Sequence, residues 1–202
     1  KALVMDDAGD PKQGVNVANS FCTNQEVMAV LGHAYSGVTI PALPVYAQCS
    51  MPVIVHGTNP QITELGYANV VQNTPNDLIT GQAAADYAKD KLGTTSVAIL
   101  HNKSMWGQGV AVVFPKSAEE NGIKGTSHQG VDPTDVDFTP VLTKIKDEKP
   151  DMIYFAGYTE EGLMRKQMVQ LGIEADWLAA EATSSEYIDV TKEMGVGTIS
   201  AT

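Results

Sequence analysis

The stretch Val27-Met28-Ala29-Val30-Leu31-Gly32-His33-Ala34-Tyr35-Ser36-Gly37-Val38-Thr39-Ile40-Pro41 decides the fold. An apolar run ends at Gly32, a turn with hydroxyl groups follows, and a helical pattern opens behind the turn. A strand that feeds a helix in this way leaves unpaired N–H groups at the amino end of the helix, and these groups favour an anion. We expect the hydroxyls of Ser36 and Thr39 to add neutral donors. Since the stretch has neither the Gly-x-Gly-x-x-Gly pattern nor the Walker lysine, it favours a small carboxylate over a nucleotide phosphate.

Strand-like and helix-like segments alternate along the rest of the chain. The patterns predict strands at residues 2–5, 27–31, 52–55, 96–100, 125–129, 152–156 and 177–180, and a short element of unassigned type near residues 69–72. They predict helices at residues 11–23, 38–49, 77–92, 107–121, 138–148 and 185–194, and a further helix capped by Thr159. Such alternation is typical of an α/β fold with parallel, doubly wound sheets. The turn-rich segment 73–77 predicts a division into two lobes, residues 1–74 and 75–199.

Composition excludes several classes of function. The 202 residues carry a formal net charge of −11, and Arg165 is the only arginine. Nucleic acids and anionic membranes need basic patches, so neither is an expected partner. No apolar run approaches the ~20 residues that cross a bilayer. Cys22 and Cys49 either form one disulfide in an oxidising compartment or remain two buried thiols, and their spacing leaves both possibilities open.

Ligands of open parallel sheets bind beyond the carboxyl ends of the strands. The residues of interest at these ends are Tyr35, Ser36, His56, Gly57 and Thr58 in the first lobe, and Trp106, Tyr158 and Glu181 in the second. The first lobe offers hydroxyls and amides, which favour a negative group of a ligand, and the second offers a single carboxylate, which favours a positive one. A zwitterion carries both groups. We expect its carboxylate to bind Ser36 and Thr58, and its ammonium to pair with Glu181 and Tyr158. Tyr35 and Trp106 would supply apolar wall.

Each of these residues also has an ordinary structural interpretation, as a turn cap, a half-buried aromatic or a solvated acid. Catalytic motifs are absent: the chain has no Gly-x-Ser-x-Gly, His-Glu-x-x-His or Cys-x-x-Cys. The four histidines never lie three or four residues apart, so we expect neither a metal nor a cofactor. An enzyme that uses His56 or His101 as acid or base is the competing hypothesis. Asp6, Asp7 and Asp10 form an acidic cluster that we interpret as capping groups.

Several stretches together resemble the leucine/isoleucine/valine-binding proteins, which are type I periplasmic solute-binding proteins of ABC transporters. They are Asp6-Asp7-Ala8-Gly9-Asp10-Pro11-Lys12-Gln13, Gly32-His33-Ala34-Tyr35-Ser36, Thr58-Asn59-Pro60-Gln61-Ile62-Thr63, Trp106-Gly107-Gln108-Gly109, Ala156-Gly157-Tyr158 and Glu181. The resemblance implies two Rossmann-like lobes joined by three crossovers, which close on a ligand in the cleft between them. It also implies that the first lobe is incomplete in this chain, and that residues 200–202 begin the second hinge crossing.

By the same resemblance, Ser36 and Thr58 match carboxylate-binding hydroxyls, and His56 matches a position whose carbonyl meets the ammonium. Tyr158 and Glu181 match the ammonium partners of the second lobe, and Ala34, Tyr35 and Trp106 match positions of the side-chain pocket. The implied protein is a monomeric receptor, periplasmic or lipid-anchored outside the cell, without enzymatic activity. It would bind an amino acid or a close analogue and deliver it to a permease. A sensor domain of the same fold is the alternative.

The chain departs from the family pattern at two kinds of position. Some members pair a cysteine in the acidic turn with one in the ligand-binding turn, where this chain has Gly9 and Tyr35. Cys22 and Cys49, on successive predicted helices, are candidates for a different disulfide. Tyr35 and His56 replace smaller residues of the aliphatic receptors, so the ligand could be smaller, polar or aromatic rather than leucine, isoleucine or valine.

Overall fold

The computed structural model describes residues 1–180 and 182–201. The chain divides into two compact units, Lys1–Asp77 and Leu78–Thr202. Each unit has its own parallel sheet and its own apolar core.

The first unit alternates short strands with helices: α1 (Pro11–Thr23), β1 (Val30–Leu31), α2 (Ser36–Gln48), β2 (Val53–Val55), α3 (Gln61–Glu64) and β3 (Val70–Gln72). Asp10 caps α1, because its carboxylate accepts the N–H of Gln13 at 2.9 Å and Pro11 supplies a preset first helical residue. The described strands pair in parallel in the order β1-β2-β3. Their inward residues and helices α1 to α3 enclose a core around Leu43, Tyr46 and Ile62.

A disulfide joins the two long helices of this unit. Cys22 lies in the last turn of α1 and Cys49 directly follows α2. Their sulfur atoms are 2.06 Å apart and their Cα atoms 5.8 Å apart. The carboxyl ends of α1 and α2 are therefore cross-linked.

The second unit begins with α4 (Asp77–Asp90), whose first residue ends the first unit. There follow β4 (Ser96–Asn102), α5 (Met105–Glu120), β5 (Lys124–Val131), α6 (Thr139–Glu148), β6 (Met152–Ala156), α7 (Glu160–Gln170), β7 (Asp176–Ala179), α8 (Ser185–Thr191), a short 3-10 helix (Lys192–Gly195) and β8 (Thr198–Ser200). The described strands form a parallel sheet in the order β5-β4-β6-β7-β8.

Alternate residues of the sheet point into two cores. Val97 and Ile99 of β4 pack with the residues of α4 and α5, whereas Ala98 and Leu100 pack with those of α6 and α7. Helices therefore cover both faces of the sheet, and the predicted doubly wound α/β architecture is confirmed.

Several predicted elements need correction. The strand predicted at residues 2–5 is wrong: these residues are exposed, and no strand of residues 1–180 and 182–201 pairs with them. The strand predicted at 27–31 shrinks to Val30–Leu31, since only these residues pair with β2. Thr159 does precede α7, but its side chain makes no capping hydrogen bond. The pattern analysis also missed α3 and β8.

Candidate functional site

The amino end of α2 presents N–H groups that make no hydrogen bond to any other residue that the structure describes. Tyr35 occupies the cap position of α2, and its side chain makes no capping hydrogen bond to this helix. Its carbonyl accepts the N–H groups of Val38 and Thr39 at 3.0 and 2.9 Å. Within residues 1–180 and 182–201, the N–H groups of Ser36 and Gly37 have no hydrogen-bond partner. The first turn of α2 contains no acidic side chain. This helix end is therefore suited to an anion.

The two hydroxyls of this turn have different roles. Ser36 is buried, and its Oγ accepts the N–H of Asn59 at 3.2 Å, which leaves the O–H proton available for another acceptor. Thr39 is also buried, but its Oγ1 donates to the carbonyl of Tyr35 at 3.0 Å. The expectation that Thr39 serves as an anion donor is wrong, because the helix backbone already uses its proton.

The turn that follows β2 lies directly against Ser36. A Cβ placed on Gly57 would lie 3.2 Å from both Cα and Oγ of Ser36 and 2.9 Å from Cδ1 of Ile62, so a larger residue would require Ser36 and Ile62 to shift. Gln72 of β3, which the sequence reasoning missed, fixes the turn by donating from Nε2 to the carbonyl of Gly57 at 2.7 Å. The sequence signal that could have identified Gln72 is its amide side chain at the end of a strand.

Thr58 and His56 flank this glycine. Thr58 lies between Gly57 and Asn59, which both approach Ser36 closely. The carbonyl of Thr58 accepts the N–H of Asp77 at 2.9 Å. The Thr58 hydroxyl has no hydrogen-bond partner within the described part of the chain. His56 is exposed, and its carbonyl accepts the hydroxyl of Thr74 at 3.4 Å, which leaves one lone pair of that carbonyl unused.

The ring of Tyr35 packs against Gly9, in the acidic turn that precedes α1. A Cβ on Gly9 would lie 3.5 Å from Cδ2 and Cε2 of the tyrosine ring, which is an ordinary van der Waals distance. The ring remains 46% exposed. Gly9 thus supports one side of the Tyr35 ring, and somewhat less than half of this residue is exposed.

His33, two residues before Tyr35, connects the acidic turn to α2. Its Nδ1 lies 2.6 Å from Oδ2 of Asp7, and its Nε2 lies 3.0 Å from the hydroxyl of Tyr46. Burial, followed by the negative charge of Asp7, raises the pKa of Tyr46 to about 12. Asp6 and Asp7 also accept the N–H groups of Ala8 and Gly9, so the acidic cluster does cap its own turn.

The second unit brings two of the predicted site residues together. Trp106, in the first turn of α5, stacks on Tyr158, which follows β6; their ring centroids are 4.9 Å apart and their planes differ by 17°. Trp106 is buried in the core that lies between the sheet and helices α4 and α5, and the partly buried Tyr158 packs against this core. Glu181, the predicted ammonium partner, lies outside the described residues.

Asn102 and Gly107 position Trp106, and the sequence reasoning missed both roles. Buried Asn102 accepts the Ser104 hydroxyl at 2.6 Å, and Ser104 in turn caps α5 by accepting the N–H of Gly107 at 3.0 Å. A Cβ on Gly107 would collide with Oδ1 of Asn102 and lie 2.9 Å from the carbonyl of Ala156. Glycine at this point lets α5 start directly against the end of β6.

Metal-binding and catalytic signals are weak in the described residues. No group of three or more histidine, cysteine, aspartate or glutamate side chains in residues 1–180 and 182–201 could hold a metal ion. The rings of His101 and His128 lie edge to face at 5.7 Å. Burial, and then the neighbouring His128 and Lys103, lower the pKa of His101 below its ordinary value. None of the helices in the described residues combines the length and apolar character that crossing a membrane requires.

Comparison with known proteins gives one consistent result. Residues 1–195 match the model of a family described as periplasmic binding protein. The chain is 37% identical over 185 residues to the Leu/Ile/Val-binding protein homolog 1 of Brucella abortus, a match that covers 91% of this chain and 50% of that protein. It is 33% identical over 190 residues to a leucine-, isoleucine-, valine-, threonine- and alanine-binding protein of Pseudomonas aeruginosa, covering 93% and 51% respectively.

The fold also matches a solved structure. The structure of a leucine-binding protein from Thermotoga maritima superposes with a TM-score of 0.90 at 25% sequence identity, over 96% of this chain and 56% of that one. The chain therefore spans about half the length of the relatives that it matches.

Proposed function

Because the chain belongs to the periplasmic binding protein family, we propose that it is part of an extracytoplasmic solute-binding receptor of an ABC importer. The ligand is an amino acid or a close analogue, which the receptor binds without chemical change and delivers to a membrane permease. The receptor acts as a monomer, periplasmic or lipid-anchored outside the cell. The proposal keeps the division of the chain into lobes 1–74 and 75–199, with candidate ligand-binding residues in each lobe.

The amino end of α2 carries this proposal. It offers the N–H groups of Ser36 and Gly37, the Ser36 hydroxyl and, from the adjacent turn, the Thr58 hydroxyl. All of these donors are neutral, and a carboxylate held by several neutral donors and a helix dipole needs no buried cation. The α-carboxylate of an amino acid fits this arrangement.

We propose that the ammonium group of the ligand binds Tyr158 and Glu181. A buried ammonium requires a charged partner, and Glu181 is the acidic residue that the family resemblance places there. The stacked pair of Trp106 and Tyr158 supplies an aromatic wall. Tyr35 gives the first lobe a larger side chain than the aliphatic receptors have at that position, so we include small and polar amino acids among the candidate ligands.

Isothermal titration calorimetry with L-leucine, L-alanine, L-threonine and L-phenylalanine tests the proposal on the full-length protein. We expect at least one to bind, to be recovered unchanged, and to lose affinity about tenfold or more with Glu181→Ala, since a buried charged hydrogen bond is removed. Glu174→Ala is the matched control, because Glu174 is exposed and is not assigned to the site. Tight binding of ligands without an amino group, unaffected by Glu181→Ala, would contradict the zwitterion model.

A further inference from the structure

A chain of hydrogen bonds links Asp7, His33 and Tyr46, next to the proposed carboxylate-binding turn at Tyr35 and Ser36. His33 precedes the segment Ala34-Tyr35-Ser36 and is only 6% exposed. Both of its ring nitrogens have partners: Asp7 at 2.6 Å on Nδ1 and Tyr46 at 3.0 Å on Nε2. A histidine with both nitrogens occupied can neither rotate nor shift without losing a buried hydrogen bond.

Both partners of His33 are themselves fixed. Asp7 accepts the N–H of Gly9 at 2.9 Å through its other oxygen, and Gly9 supports the ring of Tyr35. Tyr46 is fully buried in the core of the first unit. The imidazole therefore bridges the acidic turn and the core side of α2.

The backbone of His33 is held as well. Its carbonyl lies 3.3 Å from the Thr39 hydroxyl, which also donates to the carbonyl of Tyr35. The ring and the carbonyl of His33 together fix the backbone path of Ala34 and Tyr35. This path in turn positions the N–H groups of Ser36 and Gly37. A ligand site is effective only when such groups are held in place by a supporting layer.

We propose that His33 is a positioning residue of the ligand site, and that its bond to Asp7 holds the Tyr35–Ser36 turn in the conformation that binds a carboxylate. This inference rests on the proposed function for its effect on affinity, although the ordering of the turn is independent of it. The Asp7 bond dominates because it is the shorter of the two and involves a carboxylate. The two residues are 26 positions apart in the sequence, so the bond ties together segments that the backbone alone does not.

Two amide variants separate the two bonds. The amide nitrogen of asparagine stands near the position of histidine Nδ1, whereas that of glutamine stands near Nε2. His33→Asn therefore keeps a donor toward Asp7, and His33→Gln keeps a group toward Tyr46. Both lose the ring, so each controls for the other's loss of packing. His128→Gln, at an exposed histidine outside the site, controls for the substitution itself.

The first measurement is hydrogen exchange of residues 33–39 in the full-length protein without ligand. We expect faster exchange of this segment in His33→Gln and in Asp7→Ala than in the wild type, and near wild-type exchange in His33→Asn and His128→Gln. Equal exchange of the segment in His33→Gln and the wild type would overturn the inference. This measurement needs no ligand, so it decides the point even if no amino acid binds.

The second measurement is the dissociation constant of L-leucine or L-alanine, taken well below the thermal midpoint of every variant. We expect a weakening of about tenfold or more for His33→Gln and less than about threefold for His33→Asn. A purely structural role would lower both midpoints and leave both dissociation constants unchanged, which would overturn the inference. Absence of binding by the wild type to any of the tested amino acids would instead count against the proposed function.

Discussion

At the scale of the residue, Ser36 and Thr39 show that two hydroxyls in one helical turn can have different hydrogen-bond roles. Thr39 donates back to the carbonyl of Tyr35, while Ser36 accepts from Asn59 and keeps its proton. Residue type predicted both hydroxyls as donors. The difference depends on whether the side chain can reach a carbonyl of the preceding turn, and only the folded backbone determines that.

Ser36→Ala should weaken amino-acid binding by about tenfold or more, since a hydrogen bond to a charged carboxylate contributes about 1.5–3 kcal/mol. Calorimetry with the amino acid that binds the wild type measures the effect. Ser20→Ala is the control: Ser20 is exposed, its hydroxyl donates to the carbonyl of Asn16 within α1, and its loss should leave affinity unchanged. Equal affinities of Ser36→Ala and wild type would remove Ser36 from the site.

Tyr46 should make the protein less stable at high pH. Its pKa is raised from 10.0 to about 12, first by burial and then by the charge of Asp7. The unfolded chain releases this proton near pH 10 and the folded chain retains it, so the free energy of unfolding is undiminished below pH 10 and falls between pH 10 and 12. The loss is at most about 2–3 kcal/mol.

Urea unfolding of the wild type and of Tyr46→Phe at pH 8, 10 and 11.5 isolates this contribution from that of the other tyrosines. The wild type should lose more stability between pH 10 and 11.5 than the variant does. Parallel pH profiles for the two proteins would show that Tyr46 titrates alike in the folded and unfolded chains.

At the scale of the element, the disulfide between α1 and α2 is the covalent link of the first unit. Cys22 and Cys49 are 27 positions apart, and closing a loop of this length restricts the unfolded chain by about 3–4 kcal/mol. Reductant should lower the free energy of unfolding of the wild type by about this amount. It should have no effect on Cys22→Ser/Cys49→Ser, and equal stability of the wild type with and without reductant would argue against the link.

The sequence predicted helices better than strand pairing. Asp10 followed by Pro11 is a local signal for a helix start, and α1 begins there. The Ser104 cap of α5 was not predicted, and α5 begins at Met105, two residues before the predicted start at residue 107. The strand predicted at residues 2–5 depends on a neighbouring strand, and no neighbour is present among the described residues. Pairing is a long-range property that apolar alternation does not contain.

The same distinction holds for the candidate site. The strand-end rule selected Ser36, Gly57, Trp106 and Tyr158 as candidates, since each follows an apolar run in the sequence, and their role in ligand binding stays a prediction. It did not predict the bond between Asp7 and His33, or the support that Gln72 gives to Gly57. These contacts join segments distant in the sequence, so their residues carry no local pattern that distinguishes them.

At the scale of the whole molecule, the net charge of −11 bears on which ligands can approach. A chain with a net negative charge repels anions at long range, and the Debye length shrinks from about 30 Å at 0.01 M salt to about 10 Å at 0.1 M. A zwitterion has no net charge and experiences little of this repulsion. Its carboxylate then has only to interact with the local, neutral donors at α2.

The affinity for L-leucine or L-alanine should therefore change less than about twofold between 10 and 300 mM sodium chloride, because screening acts on net charge at long range and hardly on the short bonds of the site. L-Glutamate, which carries a net negative charge, should bind more weakly than these amino acids, and any binding should strengthen as salt screens the acidic surface. Calorimetry at both salt concentrations measures the two slopes. A steep loss of affinity with salt for the neutral amino acid would mean that a net charge on the ligand drives binding, which the neutral donors at Ser36 and Gly37 do not provide for.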